Sequence, residues 1–61
     1  MTIKTVDGVV YQLDTVKHII SGGVFREGSK YSFARMNIGT KGYIILQDGR
    51  DVVLPVVECY L

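Results

Sequence analysis

The chain has 61 residues, 48% of them hydrophobic and 21% charged, with a formal net charge of +1. That balance describes one folded domain over residues 1–61 and excludes a disordered segment. A single Cys and a single His exclude an internal disulfide and a four-ligand zinc site, so neither metal nor cofactor is expected.

A domain this short buries only about 60% of the surface its unfolded form exposes. With disulfide and metal excluded, self-association is the remaining support for a marginal core. Met1 to Val10 carries charges at Lys4 and Asp7 and lacks the apolar stretch of a secretory signal. The longest apolar run, Val52 to Val57, has six residues and contains Pro55, whereas a membrane-spanning helix needs roughly 20. The expectation is a soluble, cytoplasmic protein with no membrane partner.

Along the chain, Asp7-Gly8 and Asp48-Gly49 each separate runs of Val, Ile, Leu and Tyr, the strongest short-range hairpin signal. In the first hairpin, a three-residue loop over Val6, Asp7 and Gly8, with Gly8 as the left-handed bulge residue, gathers Ile3, Thr5, Val9, Tyr11 and Leu13 on one face. Thr2, Lys4, Val10 and Gln12 then face water, and a one-residue slip would reverse the two sets.

Asp14 suits the cap of a short helix from Thr15 to Ser21, because Val16, Ile19 and Ile20 recur at helical spacing and Gly22-Gly23 supplies a stop. A continuing strand is the competing reading, since seven residues are too few for a helix to stand alone. Val24 to Arg26 and Lys30 to Ile38 flank Glu27-Gly28-Ser29 as a further hairpin. In the longer arm Tyr31, Phe33 and Arg35 alternate against Ser32, Ala34, Met36 and Ile38.

Gly39-Thr40-Lys41-Gly42 reads as a turn. Tyr43 to Gln47 and Arg50 to Leu61 pair around Asp48-Gly49, with apolar residues on both faces, the pattern of strands buried on both sides. Pro55 cannot donate to a ladder, which predicts a bulge or an edge at that point. The fold class expected is mainly β, or small α+β with the helix counted. It is a curved antiparallel sheet or small barrel of five to six short strands with one short helix, in the order ββαβββ.

No constellation carries catalysis, and the chain is read as a non-enzyme. His18 and Asp14 lie four apart, as a base and its orienting carboxylate would on a helix, but no nucleophile accompanies them. Cys59 sits in an apolar strand beside Glu58 and reads as inert. Asp7, Asp14 and Asp48 are accounted for as turn or cap residues. The Gly39–Gly42 stretch lacks the glycine and hydroxyl positions of a phosphate loop.

Charge is distributed unevenly. Thr15 to Gln47 holds Lys17, Arg26, Lys30, Arg35 and Lys41 against Glu27, a net +4, while the flanks hold two cations against five anions, a net −3. Complementary patches of this kind orient an encounter with a protein. Basic residues interleaved with Phe25, Tyr31, Phe33 and Tyr43 also meet the needs of a nucleic-acid platform.

The leading expectation is a small protein-binding module that also self-associates. Lys30, Tyr31, Phe33, Arg35 and Lys41 form its partner surface. Val56, Val57, Tyr60 and Leu61 are its self-association surface, because the apolar C-terminal run exceeds what so small a core hides. Nucleic acid bound on the basic and aromatic central segment is the alternative. In size and style, a very short chain with curt Asp-Gly hairpins resembles accessory proteins of bacteria and their phages, a resemblance that assigns no residue a role.

Overall fold

The computed structural model describes residues 1–61 and is mainly β, as the hairpin signals predict. Six strands follow one another, β1 (Thr2–Thr5), β2 (Val10–Asp14), β3 (Ile19–Ser21), β4 (Ser29–Arg35), β5 (Lys41–Leu46) and β6 (Asp51–Tyr60). Each pairs antiparallel with the next, and β1 returns to pair with β6, which closes the sheet into a barrel.

The first hairpin has the register its alternation requires. Ile3 pairs with Tyr11 and Lys4 with Val10, which leaves Val6-Asp7-Gly8 as the loop. Gly8 adopts φ 86°, the left-handed conformation that a bulged three-residue turn needs. Ile3, Thr5, Tyr11 and Leu13 are all buried. The Thr5 hydroxyl is satisfied locally, donating to the Asp7 carboxylate and facing the Val9 carbonyl at 3.3 Å.

The last hairpin is its twin. Leu46 donates its amide to the Arg50 carbonyl at 2.8 Å, and Gly49 donates back to Leu46 at 2.9 Å. Gln47 therefore belongs to the turn, where the sequence suggests the end of a strand. In place of a helix over Thr15 to Ser21 there is a four-residue turn followed by β3. Leu13 pairs with Ile20 and Asp14 with Ile19.

The Asp14 signal is real but ambiguous. Its carboxylate accepts the amides of Val16 at 3.0 Å and Lys17 at 2.9 Å, an arrangement that opens a tight turn as readily as a helix. His18 at φ 56° then reverses the chain. Val16 is 90% exposed, so no apolar helical stripe exists, and the adjacent β-branched pair Ile19-Ile20 enters the sheet instead.

Val24 to Arg26 is likewise not a strand arm. Gly23–Phe25 forms a single 3-10 turn that drops Phe25 into the core against Tyr11, ring centroids 6.1 Å apart. Gly22-Gly23 is needed for close approach rather than as a helix stop. A Cβ on Gly22 would strike the Val10 carbonyl oxygen, and one on Gly23 would sit 2.6 Å from the Tyr11 ring.

Closing six short strands requires sharp coiling, and irregularities in the ladder supply it. Register shifts fall between Tyr31 and Phe33 where β4 meets β5, between Lys41 and Tyr43 where β5 meets Val53 to Val56 of β6, and between Lys4 and Thr5 where β1 meets β6. Pro55 lies in the second, as its missing donor predicts. The core inside joins Ile3, Ile20, Ile44 and Val57, all fully buried, to Leu13, Leu46, Leu54 and the larger rings. Burial of each such aliphatic side chain contributes about 1.5–3 kcal/mol.

Candidate functional site

β5 and β6 are apolar on both sides, yet a six-stranded barrel has only one inside. Their second face is turned outward. Phe33 pairs with Ile45 and Ile45 with Asp51; in the next row Arg35 pairs with Tyr43 and Tyr43 with Val53. The β4–β5–β6 exterior thus carries Phe33 at 45% exposure and Val53 at 60%, with Tyr43 and Ile45 half-buried between them. Burial on both sides, the expectation for these strands, is overturned: no second layer covers them.

The bulge on β4 decides which aromatic joins this face. Plain alternation puts Tyr31, Phe33 and Arg35 together. The extra residue after Tyr31 reverses the parity, so Tyr31 points inward with Met36 while Phe33 and Arg35 point out. Phe33 meets Tyr43 edge to face at 6.1 Å, and the Arg35 guanidinium lies over the Tyr43 ring, 5.6 Å from its centroid. Partial burial, and then the adjacent Asp51 carboxylate, push the Tyr43 hydroxyl upward, with Arg35 acting in the opposite direction.

Two of the surface residues expected from sequence belong to the core. Tyr31 is 6% exposed, with its hydroxyl 3.4 Å from the Asp14 carbonyl and its ring stacked on His18 at 5.4 Å. Burial, and then the charge of Asp14, push that hydroxyl upward. Val57 is fully buried, because the Pro55 bulge turns it inward two positions later. Phe25, one of the interleaved aromatics, is also core.

The others are on the surface. Lys30, second in β4, pairs with Ile19, and Lys41 opens β5 opposite Val56. Val56 is half-buried and Leu61 is 68% exposed. Tyr60 is half-exposed with its hydroxyl donated to the Met36 carbonyl.

Sequence reasoning left Ile45 and Val53 out of the site and counted Tyr43 only among the aromatics of a nucleic-acid platform. Their signal was present: a single domain of this length has no spare layer, so a doubly apolar strand must show one face to solvent or to a partner.

Lys30, Arg35 and Lys41 lie on the strands of this face, and Asp51 is the carboxylate on it, paired with Ile45 and beside the Tyr43 hydroxyl. The structure has two salt bridges, Lys4–Glu58 at 3.6 Å and Arg50–Asp48 at 2.8 Å, and neither uses a cation from Thr15 to Gln47. Lys17, Arg26, Lys30, Arg35 and Lys41 therefore keep their charge uncompensated by ion pairing. Among the carboxylates, Asp14 holds two amides and Asp48 accepts the Arg50 amide at 3.0 Å, and both keep their negative charge. Those amide hydrogen bonds hold both carboxyls below their ordinary 3.8.

No family model, curated protein or solved structure matches this chain. Its site rests on its own chemistry. No three of its His, Cys, Asp and Glu side chains converge as metal ligands. Two open depressions, of about 450 and 620 Å³, are mostly polar-lined. No helix is long and apolar enough to cross a membrane.

Proposed function

We propose that this chain is a non-enzymatic binding module that acts through protein–protein contacts on the outer face of β4–β5–β6. The observation that carries the reading is the uncovered row of Phe33, Tyr43, Ile45 and Val53, an apolar surface fringed by Arg35, Lys30 and Lys41. Aromatic and Arg anchors in an apolar centre with a polar rim are the anatomy of a protein interface. The partner is another protein, with own copies a second mode through Val56, Tyr60 and Leu61.

Affinity capture from the native host with the wild type and with a Phe33→Lys, Val53→Lys double variant tests this. The expected result is a partner held by the wild type and lost by the folded variant. An identical set retained by both removes this face from the function. Sedimentation across a concentration series, with and without residues 60–61, tests the self-association mode, which falls if the two forms behave alike.

Nucleic acid is the second reading, supported by the exposed Phe33 and five unpaired cations. Stacking on a base adds about 1–3 kcal/mol where a ring face is open. Arg35 already covers one face of Tyr43, and Ile45 and Val53 are aliphatic, so the protein reading is favoured. Oligonucleotide binding that weakens in Arg35→Ala and Lys41→Ala, with a flatter salt dependence, would reverse that preference.

A further inference from the structure

The barrel is closed unevenly. β3 meets β4 only at Ile19–Lys30 and Ile20–Ser29, with one more hydrogen bond from the Tyr31 amide to the His18 carbonyl at 2.9 Å. β4 runs on to Arg35. Residues 32–35 pair with β5 on one side and with no strand on the other.

Beside this free half-edge lies a groove of about 250 Å³ whose lining includes Leu13, Tyr31, Ala34 and Met36, with Thr15 and His18 on the opposite bank and Phe33 at its mouth. Its volume is below the roughly 300–1,000 Å³ of small-molecule sites. It has room for side chains from an added strand.

We infer that the free half-edge of β4 accepts an extended segment of a partner protein, one that alternates apolar and acidic residues. The inference rests on the protein-binding reading and names the partner's chemistry. An added strand hydrogen-bonds through its backbone, while alternate side chains point to opposite faces. One set enters the recess over Leu13, Tyr31, Ala34 and Met36. The other set turns outward toward Arg35, the last residue of the open stretch, with Lys30 two residues before its start and Lys17 in the turn between Thr15 and His18, which line the groove.

Charge selects this occupant. Asp14 accepts the amides of Val16 and Lys17, stays negatively charged and offsets part of the Lys17 charge, so the positive charge rests chiefly on Arg35 and Lys30. Lys17, Lys30 and Arg35 have no ion-pair partner, so an acidic strand meets complementary charge. A second copy paired antiparallel along the same edge would bring Lys30 of one copy toward Arg35 of the other, like charge against like.

The test is a titration of the ¹⁵N-labelled full chain with a blocked octapeptide alternating Val and Glu. The controls are the same peptide with Lys for Glu, and a version N-methylated at alternate amides. The expected result is chemical-shift change along residues 32–35 and hydrogen exchange there slowed about tenfold or more in the complex. The Lys control should bind at least roughly fivefold more weakly, and N-methylation should remove the protection. A Lys17→Glu, Lys30→Glu double variant, both positions exposed, should fold normally and lose the preference for Glu.

No shift at about 1 mM Glu peptide, a concentration that detects millimolar affinity, overturns the inference. Equal binding of the Lys control also overturns it. So does protection of residues 32–35 that rises with protein concentration alone, which assigns the edge to a second copy, or binding of oligothymidylate with no response to either peptide. Shifts confined to Phe33, Tyr43 and Val53 without protection overturn edge pairing but leave the proposed protein-binding face standing. Loss of that face is read separately, by capture with the Phe33→Lys, Val53→Lys variant.

Discussion

The two Asp-Gly hairpins and the β3–β4 seam are built from the same residue types to opposite ends. In the hairpins, three-residue loops bring strands together along their length, with Thr5 facing Val9 and Leu46 facing Arg50 across them. At the seam, a three-residue strand and a single 3-10 turn leave half of β4 without a neighbour on its β3 side. The hairpins close surface and the seam leaves it open. A small barrel can keep a binding edge only if the rest of its ladder holds the shape, and the hairpins do that holding.

The glycines test this contrast most sharply. Gly8 and Gly49 both have positive φ but open space around the Cβ position, whereas Gly22 at φ 96° has the Val10 carbonyl oxygen where a Cβ would go. Gly8→Ala and Gly49→Ala should each cost about 1 kcal/mol from backbone strain. Gly22→Ala adds a backbone collision to the strain and should cost about 3 kcal/mol or more. Against a total stability of about 3–9 kcal/mol for a chain of this length, that is a third of the total or more, and at the low end it leaves the folded and unfolded forms about equally populated. Thermal unfolding of the three variants measures the difference, and equal losses would mean the seam is no tighter than the turns.

Ile20 is the next test, because it is the fully buried residue of a strand only three residues long. Ile20→Ala should cost about 2–5 kcal/mol in chemical denaturation. It should also speed amide exchange in residues 19–21 more than in β5, since β3 has so few other contacts to hold it. A uniform increase would show the seam and hairpins unfolding as one unit.

How much of this was legible follows the same division. The register of the first hairpin could be read because Ile3, Thr5, Tyr11 and Leu13 alternate with period two across a loop that only one length satisfies. The β6 bulge could be read because Pro55 announces it. The Ser32 bulge has no such marker: one extra residue between ordinary strand formers inverts every later side chain, which is why Tyr31 was placed on the surface.

The turn after Asp14 was misread for a related reason. An Asp accepting amides two and three residues on begins a helix and a turn alike, and the spacing of Val16 and Ile19 mimics a helical stripe. Only the exposure of Val16 separates them. The candidate face was half legible, through Phe33 and Arg35, whereas Tyr43, Ile45 and Val53 required knowing which side of the barrel they face.

Surface substitutions should separate binding from stability. Phe33→Lys and Val53→Lys each change an outward, partly exposed side chain and should shift stability within about 0.5 kcal/mol, far less than Ile20→Ala, while partner capture is lost. A large drop in melting temperature for either would mean the outer row supports the barrel itself, and the division between a holding region and an open one would have to be redrawn.

The smallest effect is on the acid limb of stability. Asp14 at the seam and Asp48 in the last hairpin both have carboxyls held below 3.8, mainly by hydrogen bonds from backbone amides. A folded value below the unfolded one means the unfolded chain takes up protons first as pH falls. The stabilisation is therefore fully present above pH 3.8 and is lost as pH drops through the depressed folded values. Asn keeps an acceptor oxygen for the same amides but cannot titrate, so Asp14→Asn and Asp48→Asn should each make stability less steep below pH 4 with little change at pH 7. The two should differ in where the loss is felt. Protonating Asp48 acts within a ladder paired on both sides and should register in the global transition. Protonating Asp14 loosens the turn that carries Lys17 and His18 beside the open edge, and should speed exchange at residues 16–21 before the barrel melts. Matching exchange profiles for the two variants would show that the seam has no independence from the hairpins that frame it.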